Sequence, residues 1–127
     1  MKRIISTDQA PSAVGPYCQA VEVNGVIYTS GVLGIDPADG QIKGDAARQA
    51  ERALTSLEAV LRQAGATMAD VVKTTVFLKD MGDFAAVNQV YARHFSEPYP
   101  ARSCVEVAKL PKEGLFEIEA VAVKDRF

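Results

Sequence analysis

The stretch from Pro100 to Val123, PARSCVEVAKLPKEGLFEIEAVAV, constrains this chain more than any other. Two runs within it alternate polar and apolar residues with a period near two, the pattern of half-buried β-strands. One covers roughly Arg102 to Ala108 and the other roughly Leu115 to Val123. Pro111 and Gly114 lie between them as turn formers. Successive side chains of a strand point to opposite faces. Arg102, Cys104 and Glu106 therefore share one face of the first strand. Glu117 and Glu119 lie on the face of the second strand opposite Phe116 and Ile118. A cation, a thiol and a carboxylate are expected close together on rigid strands.

The rest of the chain supplies elements to pack around that pair. Ile4 and Ile5 suit a short edge strand, and Asp8 to Pro16 reads as a loop. Gln19 to Val23 and Val26 to Ser30 are strand-like runs around Asn24-Gly25, whose tolerance of positive φ makes it the strongest short hairpin signal. Gly31 to Gly44 reads as a polar loop. Asp45 can cap a helix running to Ala64, with Ala46, Ala50, Ala53, Leu54, Leu57, Val60, Leu61 and Ala64 in one apolar stripe and Gly65 beyond its end. VVKTTVFL, from Val71 to Leu78, predicts a strand buried on much of both faces. Asp83 can cap a second helix from Phe84 to about Phe95, with Phe84, Val87, Tyr91 and Phe95 facing inward. The order ββ-α-β-α-ββ predicts one α+β domain over residues 1–127, with both helices on one face of the sheet. The opposite face keeps Val, Ile, Leu and Tyr among its polar groups, so a homo-oligomer that buries it is expected.

Charge and composition limit the function. The net charge of −2 and the absence of a Lys/Arg cluster argue against a phosphate-backbone ligand. Cys18 and Cys104 are too few for a disulfide framework and suit a reducing compartment. No apolar run approaches a membrane span, and the N-terminus lacks a secretory apolar stretch. A cytoplasmic protein with no nucleic-acid or membrane partner is expected.

The candidate chemistry lies on the two strands. Arg102 offers a planar fork matched to a carboxylate; a surface salt bridge is the equal alternative. Glu117 shares a face with Glu119, and like charge plus partial burial would raise its pKa toward that of a general acid–base. Cys104 reads better as a small buried hydrophobe than as a nucleophile, because nothing links it to His94, the one histidine. Gly31 after Ser30 lets backbone approach a ligand closely. Tyr17 and Asn88 have core or capping roles as alternatives. No serine-hydrolase elbow, dinucleotide fingerprint, P-loop or zinc spacing is present. The residues alone point to a cofactor-free α+β oligomer with an Arg–Glu site for an acidic small molecule.

GPYCQAV, the strand ending YTSG, the run VVKTTVFLKDMGDFAAVNQVY and PARSCVEVAKLP…EIEAVAV together resemble the RidA (YjgF-like) family of imine deaminases, in order along nearly the whole chain. The resemblance implies a chorismate-mutase-like fold, a six-stranded mixed sheet with two helices, and a homotrimer with clefts between subunits. It implies hydrolysis of 2-imino acids such as 2-iminopropanoate and 2-iminobutanoate to 2-oxo acids and ammonia, downstream of pyridoxal-phosphate-dependent dehydratases and with no cofactor of its own. By position, Arg102 matches the arginine that binds the substrate carboxylate and Glu117 the acid that orients or activates water. Cys104 matches a position that contacts the ligand through its backbone N–H, and Tyr17, Ser30, Gly31 and Asn88 match pocket positions. Val32 departs from the Ser-Gly-Gln of many relatives. The rivals are a small-acid-binding or protein-interaction trimer, a ribonuclease, and a chorismate mutase by fold analogy alone.

Overall fold

The computed structural model describes residues 1–124. The Asn24-Gly25 turn forms as expected, with φ of 51° and 82° at the two residues. It joins strands β2 (Ala20–Val23) and β3 (Val26–Thr29) antiparallel. Strand β1 (Arg3–Ile5) adds to the free edge of β2. The centre of the sheet is β7 (Phe116–Val123), which takes β3 on one edge and β5 (Val71–Leu78) along the other. Strand β6 (Ala101–Glu106) lies outside β5, parallel to it.

Three sequence expectations are corrected here. Among the described residues the sheet has seven strands, not six. The seventh is β4 (Val32–Leu33), inside the stretch read as a polar loop. Strand β3 pairs only with Val121 to Val123, and the uncovered backbone at Glu117 and Ile118 is taken up by Leu33 and Val32. Buried backbone polar groups require such partners. Secondly, the strands carrying Arg102 and Glu117 are not neighbours, because β5 lies between them with both of its edges paired. Thirdly, Asp83 does not cap the second helix with its side chain. A 3-10 turn, Met81–Asp83, precedes that helix, and Asp80 accepts from its Gly82 N–H.

Helix α1 (Ala46–Gln63) begins where the Asp45 carboxylate accepts from Arg48 N–H at 2.9 Å and is followed by Gly65 at φ +84°. Its predicted stripe is buried from Ala46 to Ala64. Helix α2 (Phe84–His94) buries Val87, Val90 and Tyr91, whereas Phe84 is 36% exposed rather than turned fully inward. Both helices share one core with Ile27, Val76, Leu78, Phe116 and Ile118, so they cover one face of the sheet. The architecture is the α+β arrangement of two helices on a mixed sheet expected of a chorismate-mutase-like fold. Val121, Phe77, Tyr28, Val105 and Val123 lie on the other face, the last three exposed.

Gly34 fixes the approach of α1 to the end of β4. A Cβ there would stand 2.5 Å from the Gln49 carbonyl oxygen and 2.7 Å from its Cα. Helix backbone cannot yield to it. Gly34→Ala is expected to lower stability by about 1–3 kcal/mol, the usual range for overpacking, read as a lower denaturant midpoint at unchanged slope.

Candidate active site

Register separates the candidate residues into two groups. Arg102 lies opposite Thr74, which lies opposite Ala120, and both of these are buried beneath the helices. Glu117 lies opposite Phe77, which lies opposite Val105, on the other face. Within one chain the arginine and the carboxylate therefore face opposite sides of the sheet. Arg102, Cys104 and Glu106 keep the shared face of β6 that alternation implies, but Glu117 does not join them in a single copy. Alternation along each strand was legible in the sequence. The insertion of β5 between them, with a pleat of its own, was not.

The first group gathers on β6 and α2. Arg102 Nη1 donates to Asn88 Oδ1 at 2.7 Å. Its guanidinium carbon lies 4.7 Å from the Tyr91 ring centroid and 5.5 Å from that of Phe84. Tyr91 is pinned by a 2.8 Å hydrogen bond with Thr74. The groups that hold the guanidinium here are a neutral amide and two aromatic rings, which leave its charge for an incoming anion. Cys104, opposite Val76, is half-buried against the core, and burial pushes its thiol pKa up. A thiol held in its neutral form suits packing and not nucleophilic attack. Glu106 accepts from Met81 N–H at 2.8 Å.

The second group lines a cavity of about 690 Å³ that includes Tyr17, Ser30, Gly31, Val32 and Glu117. Ser30 Oγ donates to the Cys18 carbonyl at 2.6 Å. Tyr17 is half exposed, and its hydroxyl accepts from Val14 N–H at 3.4 Å. Gly31 meets Glu117 directly: a Cβ there would stand 2.5 Å from Glu117 Oε2. The backbone at Gly31 is thus the wall against which the carboxylate rests. Desolvation by burial raises the Glu117 pKa from its usual 4.5, and the Glu119 charge raises it further. Both causes were legible in the spacing of the two glutamates. Val32 is buried in β4, so its side chain is core as well as cavity wall. Sequence reading missed Asp36 and Lys112, which also border the cavity. Lys112 does so from a backbone φ of 57°, with Glu113 beside it at the same φ. No residue type in that stretch signals a left-handed turn.

The chain has relatives of known sequence and structure. Residues 7–124 match the family model described as endoribonuclease L-PSP, and the chain belongs to that family. It is 47% identical over 127 residues to the 2-iminobutanoate/2-iminopropanoate deaminase of Escherichia coli K12, covering 98% of this chain and 99% of that protein. The crystal structure of RidA from an Antarctic Psychrobacter matches with a TM-score of 0.94 at 45% identity, over 96% of this chain and 99% of that one. Escherichia coli TdcF with bound serine matches with a TM-score of 0.92 at 42% identity, over 97% and 99%. The resemblance to RidA read from the motifs is borne out.

Glu119→Gln removes the neighbouring negative charge and is expected to shift the Glu117 titration to lower pH, followed by carboxyl NMR. An unmoved Glu117 midpoint would exclude coupling between the two. Gly31→Ala is compatible with that residue's backbone and is expected to displace the Glu117 carboxylate. A crystal structure of the variant with Glu117 in place would contradict the contact.

Proposed function

We propose that the chain is a hydrolytic imine deaminase acting on 2-imino acids such as 2-iminopropanoate and 2-iminobutanoate. It works as a homotrimer in which one copy's Arg102 group meets a neighbour's Glu117 cavity. The observation that carries this reading is the pair of unmatched charges: a guanidinium held by neutral groups, and a carboxylate with its pKa raised, on opposite faces of one chain. Neither group is satisfied as a salt bridge would satisfy it. A second copy brings them together, and the exposed Tyr28, Val105 and Val123 give the open face a reason to associate. The deaminase named among the relatives and the amino acid bound to TdcF support a small substrate with a carboxylate.

The chemistry then follows from the residue types. Arg102 takes the substrate carboxylate in its fork, with Asn88 holding the guanidinium and the Cys104 backbone beside it on the edge strand. Tyr17, Ser30 and Gly31 border the space for the imine. Glu117 accepts a proton as water adds to the imine carbon, giving a carbinolamine. The proton is returned to nitrogen, the C–N bond breaks, and ammonia leaves as Glu117 takes the hydroxyl proton and the carbonyl forms. A protonated imine is already electrophilic, so placing water against its carbon supplies much of the rate. Suppliers would be enzymes that release imino or enamino acids, such as pyridoxal-phosphate-dependent dehydratases, in the cytoplasm. The ribonuclease in the family description is disfavoured by 14 basic against 16 acidic residues.

The test is imine decay with no protein, wild type, Arg102→Ala and Arg102→Lys, the imine being generated in situ by a separate enzyme. Arg102→Ala is expected to lose at least about a hundredfold in kcat/KM, as removal of a charge-assisted fork implies, and Arg102→Lys to remain poor. Near-normal turnover by Arg102→Ala would sink the anchor. Arg102→Ala and Glu117→Gln, each inactive, are expected to regain activity when dissociated and reassembled together. Persistent inactivity of a mixed oligomer would count against a shared site.

A further inference from the structure

The Arg102 group contains residues that the reaction above does not use. One hydrogen bond donated to Asn88 leaves a guanidinium free to swing about that contact. A fork accepts a carboxylate well only when its plane and outer edge are held within about 10–20° of the productive direction. Arginine has many rotamers, so something must select among them. In this chain the Tyr91 ring lies 4.7 Å from the guanidinium carbon and the Phe84 ring 5.5 Å from it. Tyr91 is itself fixed, by Thr74 at 2.8 Å and by the Phe95 ring at a centroid distance of 4.5 Å. Thr74 is fully buried and is the register partner of Arg102 on the adjacent strand. A closed chain of contacts therefore runs from the strand through Thr74 and Tyr91 to the guanidinium. Phe84 completes the set from the first residue of α2.

We propose that Phe84 and Tyr91 are positioning residues for substrate: their rings hold the Arg102 guanidinium so that its unbonded edge faces the incoming carboxylate. The proposal rests on Arg102 being the anchor in the reading above. Phe84 explains itself poorly in any other way. It is 36% exposed, so it adds little to the core, yet a large aromatic stands there against a cation. The contact lies within one chain, so it orients the arginine before any second copy or substrate arrives. It acts on a group that binds the non-reacting end of the substrate, equally in the ground and transition states. Its loss therefore raises KM and leaves kcat nearly unchanged.

Phe84→Leu, which keeps apolar volume and removes the ring, is compared with Phe84→Tyr, which keeps the ring. Phe84→Met repeats the ring deletion should the leucine variant fold poorly, and thermal unfolding checks each protein. Arg102→Ala serves as the blank. Imine turnover is measured beside calorimetric titration with pyruvate, a carboxylate probe that needs no catalysis. Phe84→Leu is expected to weaken pyruvate affinity and raise KM about fivefold with kcat within about twofold, and Phe84→Tyr to restore both, as a lost cation–ring contact implies. Equal affinities in the leucine and tyrosine variants, or a fall in kcat at constant KM, overturn the positioning role. Wild type that binds pyruvate through Arg102 yet fails to hydrolyse imines overturns the deaminase reading, while the pyruvate affinities still decide the role of Phe84. Wild type that does neither overturns both.

Discussion

The burial of one side of β7 is the constraint on which everything else depends. Phe116, Ile118 and Ala122 are fully buried beneath the helices, and Ala120 nearly so. Alanine at the last two positions leaves room for α1 to lie close to the strand. Strand periodicity then has a consequence for the site. With those four residues inward, Glu117 and Glu119 must point outward on the other face. A slip of one residue would place both carboxylates in the core, at a cost far above any gain in pairing. The direction of the acid is thus inherited from packing, and no separate device is needed to aim it.

The polar side of the molecule is arranged around the same core. Gln49, buried on α1, donates through Nε2 to the Gly44 carbonyl at 2.9 Å and accepts from Leu115 N–H at 2.8 Å. One side chain ties the entry of the helix to the entry of β7, close to where Gly34 meets the same residue's backbone. At the other end of α1, Arg3 and Lys124 both donate to the Ala64 carbonyl and both pair with Glu22. Cations at a helix C-terminus complement its dipole.

Much of this was legible in the sequence where local chemistry determines the outcome. The Asn24-Gly25 turn, the Asp45 cap, the α1 stripe and the inward row of β7 follow from periodicity and from residues with strong conformational preferences. What was not legible depends on pairing between distant segments. Val32 and Leu33 become a strand only because β3 leaves part of β7 uncovered. The separation of Arg102 from Glu117 depends on β5 entering between their strands, which no spacing within Pro100–Val123 encodes. Phe84 was read as core because it falls in the α2 apolar pattern. Its contact with Arg102 needed the helix and edge strand placed side by side.

The placement of two opposite charges on opposite faces also changes what each can be. Beside an arginine, Glu117 would be held ionised and low in pKa, and the guanidinium would be neutralised before any substrate came. Within one copy they stand on opposite faces, so neither neutralises the other before copies meet. On the proposed arrangement a lone copy then holds two incomplete halves, and turnover per chain becomes a matter of mass action. Dilution below the dissociation constant of the assembly would silence the protein without touching its fold, and synthesis above it would switch every cleft on together.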